Sequence, residues 1–226
     1  HGNTPSWQRF ADIQGKTITK VTYMLADQDD ISIETDLYCK ELLGEEYSIT
    51  TDESVTYQKD GTAINITYTT PDDSDYSVEA VAAGRTAVED GLYSVITLSG
   101  DLKPGSYTVT FSDDKYASKK SSTLVESGLE EGSVSIENNA VVIADNEQGL
   151  TGADYAAQVT SVVVNGEPVK AKGIAGILFN EDGSINMDAE IEGQDGNVKV
   201  FDGSDSYEIE LEATGYPSVK GTVTAQ

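Results

Sequence analysis

The chemistry open to this chain is limited first by its histidine and cysteine. The one histidine, His1, stands at the start of the chain, and the one cysteine is Cys39. A Ser-His-Asp or Cys-His arrangement needs an imidazole held in position, which a terminal residue does not offer. Zinc needs clustered His and Cys, and one of each makes no cluster. Haem ligation by His or Met meets the same shortage, since Met24 and Met187 both lie in strand-like surroundings. Tyrosine also ligates haem, but the 12 tyrosines read as fillers of sheet cores and edges. Serine acyl-enzymes join Ser-x-x-Lys to Ser-Asp-Asn and Lys-Thr-Gly. Ser112-Asp113-Asp114-Lys115 matches the first of these, yet it follows a strand instead of opening a helix, and neither of the others occurs. Glycosidases need two carboxylates across a cleft. Of the 40 acids here, however, most sit on outer strand faces, such as Glu208, Glu210 and Glu212, or in turns. No catalytic residue is assigned, and the chain is read as a non-enzyme.

Binding chemistry is better supplied. Hard cations take clustered oxygen ligands, and Asp27-Gln28-Asp29-Asp30, Asp72-Asp73-Ser74-Asp75 and Asp202-Gly203-Ser204-Asp205 offer them. Asp27, Asp29, Asp30, Asp202 and Asp205 are therefore candidate Ca2+ ligands. The stretch Asn180–Asp188 looks like a calcium loop but places Leu178 where the first acid belongs and Ala189 where the last belongs. A turn at Asp182-Gly183 accounts for it equally well. Aromatic residues give the second route, because Tyr and Trp favour interfaces. Trp7, Phe10, Tyr116 and Tyr216 are the candidate ligand-binding residues. Trp7 and Phe10 precede the first clear strand, where they either pack across the base of the fold or form a contact surface.

These residues must be positioned by β-structure. Period-2 alternation recurs along the chain, most clearly in Tyr207-Glu208-Ile209-Glu210-Leu211-Glu212-Ala213. Side chains on a strand alternate between faces, so such a run buries one face and wets the other. Tyr107–Phe111, Ile64–Tyr68 and Ile31–Ile33 read alike, as antiparallel sheets do. Asp60-Gly61, Asn165-Gly166, Asp182-Gly183 and Asp202-Gly203 punctuate the runs with residues that tolerate positive φ. Val162–Val164, Asn165-Gly166 and Pro168-Val169 form an expected hairpin. Only two stretches read as helix, Thr35–Leu43 and Gly152–Gln158.

Charge sets the company the chain keeps. Fourteen Lys and Arg against 40 Asp and Glu leave a net charge of −26. Nucleic acids bind through phosphate neutralisation, so a DNA or RNA partner is excluded. The acidity favours solubility, cations and basic partners. The longest apolar runs span a few residues, against the ~20 of a membrane-crossing helix. The first residues form no charged-then-apolar leader, the expectation being either a mature form or an expressed fragment that begins after one.

An internal repeat divides the chain. Ser106-Tyr107 with Tyr116 recurs at Ser206-Tyr207 with Tyr216, and Ser118 and Lys120 match Ser218 and Lys220. The acidic, Gly-containing stretch Glu126–Gly132 reads as the junction. The expectation is an N-terminal β-sandwich domain over 1–125 and a C-terminal one over 126–226, which together suit the length of 226 residues at ~100–150 per domain.

The motif Ser206-Tyr207-x-Ile209-x-Leu211-x-Ala213-x-Gly215-Tyr216 resembles the end of the tandem β-sandwich modules of Gram-positive surface proteins, among them the haemoglobin-interacting-type domains. It is also similar to the C-terminal β domains of the treponemal penicillin-binding lipoprotein. The likeness covers about residues 105–226 and is fainter before them. The first repeat departs from it at Asp113 and Lys115. The resemblance implies an all-β chain of two tandem immunoglobulin-like antiparallel β-sandwich domains on a bacterial cell surface. The expected function is a non-catalytic extracellular binding or adhesion module that recognises a protein, a basic one fitting the charge, or a glycan. The alternatives are a structural spacer and an accessory fragment of a penicillin-interacting lipoprotein.

Overall fold

The structure is a computed structural model of the full chain. It describes residues 13–23, 29–42, 49–68, 77–80, 85–86, 95–100, 102–112, 115–117 and 119–225. Among the described residues ten strands occupy the first part: β1 (Lys16–Tyr23), β2 (Ile31–Cys39), β3 (Ile49–Thr51), β4 (Ser54–Thr56), β5 (Thr62–Tyr68), β6 (Ser77–Ala80), β7 (Arg85–Thr86), β8 (Val95–Gly100), β9 (Gly105–Ser112) and β10 (Lys119–Glu126). Eight follow: β11 (Val134–Glu137), β12 (Ala140–Ile143), β13 (Val159–Val164), β14 (Glu167–Pro168), β15 (Glu190–Gly193), β16 (Gly196–Lys199), β17 (Ser206–Ala213) and β18 (Val219–Thr224). Two one-turn helices, Gly152–Ala156 and Ile174–Leu178, interrupt the second part. The chain is all-β, as its alternation requires.

The backbone divides into two compact units, one of residues 1–51, 65–96 and 109–121, the other of 52–64, 97–108 and 122–226. In the first unit β1 and β2 pair antiparallel from Lys16↔Cys39 to Tyr23↔Ile31, with a break in register between Ile18 and Lys20. The helix expected over Thr35–Leu43 is therefore a correction: Thr35 to Cys39 belong to β2. Ile31, Ile33, Thr35 and Tyr38 are β-branched or aromatic and suit a pleated strand better than a helical turn. β3 pairs with β5 through Ile49↔Tyr68 and Thr51↔Ile66, and β6 lies antiparallel between β7 and β9.

The second unit is built on the sheet β14-β13-β17-β18. β17 behaves as its sequence demands: Tyr207, Ile209, Leu211 and Ala213 are buried while the Glu residues between them are exposed. The expected hairpin is present as Val163↔Pro168 and Val164↔Glu167. Its turn residues Asn165 and Gly166 take φ of 50° and 82°, the mirror-image turn that matches strand twist. The hairpin β11–β12 turns through Asn138 and Asn139 at φ 49° and 58°, where Asn tolerates the left-handed region. The Asn139 amide then pairs with the backbone of Thr224, donating to its carbonyl at 2.7 Å and accepting from its N–H at 2.8 Å. The core of this unit includes Tyr155, Leu178, Leu211 and Val223, all fully buried. Burial of each of the Leu and Val side chains is worth about 1.5–3 kcal/mol. The helix Gly152–Ala156 matches expectation, opened by Thr151. The helix Ile174–Leu178 follows Gly173 at φ 69° and has no side-chain cap.

Candidate binding site

The repeated tyrosines do two different jobs. The first of each pair fastens a strand: the Tyr107 hydroxyl donates to Lys103 O at 2.7 Å, and the Tyr207 hydroxyl accepts from Ser204 N at 3.0 Å. Both ties run to backbone a few residues upstream, the corner device of immunoglobulin-like sandwiches. The second of each pair was the candidate ligand residue. Tyr116 is buried, in a segment bridged to Glu41 by Glu41 N to Lys115 O and Ala117 N to Glu41 O, both 2.8 Å. Tyr216 is half-buried, edge-on to Tyr155 at 5.3 Å between ring centroids. Its hydroxyl is buried with no hydrogen-bond partner among the described residues. Burial raises that hydroxyl's pKa, and the negative charge of Asp154 and the nearby Tyr107 and Tyr57 raise it further. The Tyr155 hydroxyl is pushed up to about 12, by burial and then by the charge of Glu212. Unlike Tyr216 it is satisfied, donating to Leu211 O at 3.1 Å.

Tyr216 lines a cleft of about 450 Å3 with Thr56, Leu124, Leu129 and Pro217. Gly215 sets its floor. With φ at 83°, a Cβ there would stand 2.4 Å from Val125 O and 3.0 Å from Gly105 N, so no side chain fits without moving backbone. Ser127 N donates to Gly215 O at 2.7 Å and fixes the turn. Thr56, Leu129 and Pro217 were not foreseen, because nothing in sequence spacing links residue 56 to residue 216.

The candidate cation ligands are dispersed. Asp29 and Asp30 are exposed just before β2, and Asp202 and Asp205 are exposed in the loop before β17. Among the described residues no three His, Cys, Asp or Glu converge as metal ligands would. Asp27, Asp72–Asp75, Trp7 and Phe10 lie outside the described residues, as do Asp113 and Asp114 of the Ser-x-x-Lys run. The Asn180–Asp188 loop is a turn whose acid serves the backbone: Asp182 Oδ1 accepts from Ser184 Oγ at 2.5 Å and Ser184 N at 2.9 Å. Those bonds hold the Asp182 carboxyl below its ordinary pKa. Beside it is a polar cleft of about 470 Å3 lined by Asn138, Asn180, Asn186 and Asp188 over Phe201 and Met187. Asp188 pairs with Lys199 at 3.2 Å. No described helix is long and apolar enough to cross a membrane.

Strand order defines the class, an all-β chain of mostly antiparallel sheets, and the two tyrosine ties are of the kind found at the corners of β-sandwiches. Within it, residues 133–225 match the family described as heme-binding protein Shr-like, Hb-interacting domain. The match takes in under half of the chain and characterises that segment, bearing out the resemblance read from Ser206 to Tyr216. No curated protein matches. Among solved structures the chain is similar to the fibronectin(III)-like modules of Clostridium thermocellum CbhA, at 13% identity over 76% of this chain and 92% of that one, with a TM-score of 0.26. It is similar to murine CEACAM1b at 10% identity, covering 79% of this chain and 99% of that one, TM-score 0.25. For the 47-kilodalton lipoprotein of Treponema pallidum the figures are 12% identity, 92% of this chain, 58% of that one and a TM-score of 0.22. At such distances these likenesses bear on neither ligand nor activity.

Proposed function

We propose that this chain is a non-catalytic binding module of a bacterial surface protein, and that residues 133–225 recognise a protein partner. The observation that carries this reading is the match of that segment to a haemoglobin-interacting domain. The net charge of −26 supports it from a separate direction, since a field of that size draws a partner's basic patches and speeds encounter. The test is titration of the full chain with human haemoglobin by calorimetry at low and at physiological ionic strength. Saturable binding that weakens with salt is the expected outcome. Absence of binding at tens of micromolar, with the chain shown to be folded, rejects haemoglobin as the partner. Haemin alone, titrated in parallel, separates recognition of the protein from recognition of its cofactor.

A further inference from the structure

Between the hairpins β13–β14 and β15–β16 runs a groove of about 290 Å3. Val164 and Tyr207, both buried, form its floor, and Pro168, Val169, Ile191 and Val200 line its sides. Ile191 stands opposite Val198 in the β15–β16 ladder, and opposed residues of an antiparallel pair share a face. Val198 is 53% exposed, so the apolar surface continues from the groove onto the hairpin. The volume falls below the range of drug-sized pockets and suits one or two side chains.

The polar groups at the groove are unequal in charge. Asn165 is spent on the fold, its Oδ1 accepting from Glu208 N at 2.9 Å. Lys199 is answered by Asp188 at 3.2 Å. Glu167 and Asp202 line the groove, exposed, and their carboxylates make no ion pair or hydrogen bond among the described residues. Glu192 and Asp195, also exposed, carry the same sign along and around the turn of the β15–β16 hairpin. An occupant that covers the apolar sides must therefore answer free carboxylates. A second copy of this chain brings a further −26 and is repelled.

The geometry points to this groove as the contact site of a basic protein partner, which inserts an apolar side chain flanked by lysine or arginine. The assignment rests on the reading of residues 133–225 as a protein-recognition segment and gives that reading a place. The experiment is amide-shift mapping of the full chain with two probes, human haemoglobin and a capped heptapeptide alternating lysine and leucine. Shifts concentrated over residues 164–169, 191–200 and 202 are expected with both. Val198→Ser weakens each complex about fivefold, the worth of re-exposing roughly half a valine. Asp202→Asn reduces its salt dependence.

Peptide shifts scattered evenly over the acidic surface overturn the assignment, as does equal binding of a peptide with serine in place of lysine. So does concentration-dependent self-association of the free chain through the same residues. Haemoglobin that binds with both variants unaffected leaves the partner standing and removes the groove. A peptide seated in the groove while haemoglobin fails to bind does the reverse.

Discussion

Two tyrosine hydroxyls a ring apart carry opposite energetic signs. Tyr155 donates to Leu211 O inside the core, while the Tyr216 hydroxyl is buried with no partner among the described residues. A buried hydrogen bond nets about 1 kcal/mol, whereas a buried group without one costs about 1–3 kcal/mol. Tyr155→Phe is expected to lower the unfolding free energy by about 1 kcal/mol, and Tyr216→Phe to leave it unchanged or raise it by up to about 1 kcal/mol. Urea unfolding of both variants checks this, and equal losses would show that the Tyr216 hydroxyl is satisfied. The pH dependence follows from the same burial. The fold favours the neutral phenol of Tyr155, whose pKa stands near 12 against an ordinary 10.0. Its contribution is whole below pH 10 and is lost as pH rises toward 12. Alkaline melting scans should fall less steeply across that window in Tyr155→Phe than in the parent chain.

At the scale of elements, the helix Gly152–Ala156 owes its existence to the residue that caps it, Thr151. One turn of helix is too short to hold itself, and Thr151 with Asp154 closes a reciprocal capping box. Asp154 also receives Lys103 Nζ at 2.6 Å. Burial alone would raise the Asp154 carboxyl; bonds from Lys103 and Thr151 and the charge of Lys103 outweigh it and hold the pKa below 3.8. A lowered carboxyl lends stability above its unfolded value that is lost as pH falls through the folded one. Thr151→Ala should cost about 1 kcal/mol, and Asp154→Asn should flatten the loss of stability below pH 3.8, both read by thermal melts across pH. This helix was legible in the sequence because its cap is a local signal. Strand β17 was legible because a single buried face imposes strict alternation. Strand β2 was legible only at its start, Ile31–Ile33, since the register break between Ile18↔Leu37 and Lys20↔Glu34 shifts the phase of the alternation before Leu37, Tyr38 and Cys39. The helix Ile174–Leu178 was missed for want of a cap, its flanking Gly173 and internal Gly176 reading as turn. The Tyr216 cleft was half legible: repetition picked out the tyrosine, but the residues that meet it come from distant strands.

At the scale of the whole molecule, the division after residue 125 remains a proposal about sequence domains, and the second compact unit supplies the means to test it. That unit draws on residues 52–64 and 97–108 as well as 122–226. β4 pairs in parallel with β10 through Leu124↔Ser54 and Glu126↔Thr56. Tyr57 N donates to Glu126 O at 2.7 Å, and Lys103 reaches Asp154. Leu102 is 1% exposed and Val125 fully buried. A protein of residues 126–226 retains the core from Val134 to Val223, including Leu211 and Tyr155, and is expected to fold with its near-ultraviolet tyrosine signal intact. It loses the ion pair to Asp154, and the Gly215 turn no longer packs against Val125 and Gly105. Together these changes should cost about 2–4 kcal/mol, one hydrogen-bonded charge and one poorly covered apolar edge. Extending the protein to begin at residue 97 should restore most of that loss, because Lys103 and the buried Leu102 return with it. A 126–226 protein as stable as the full chain would make the earlier segments dispensable and the sequence boundary the physical one. A 126–226 protein without a cooperative melt would show instead that the second unit, in all three of its segments, is the smallest piece that folds.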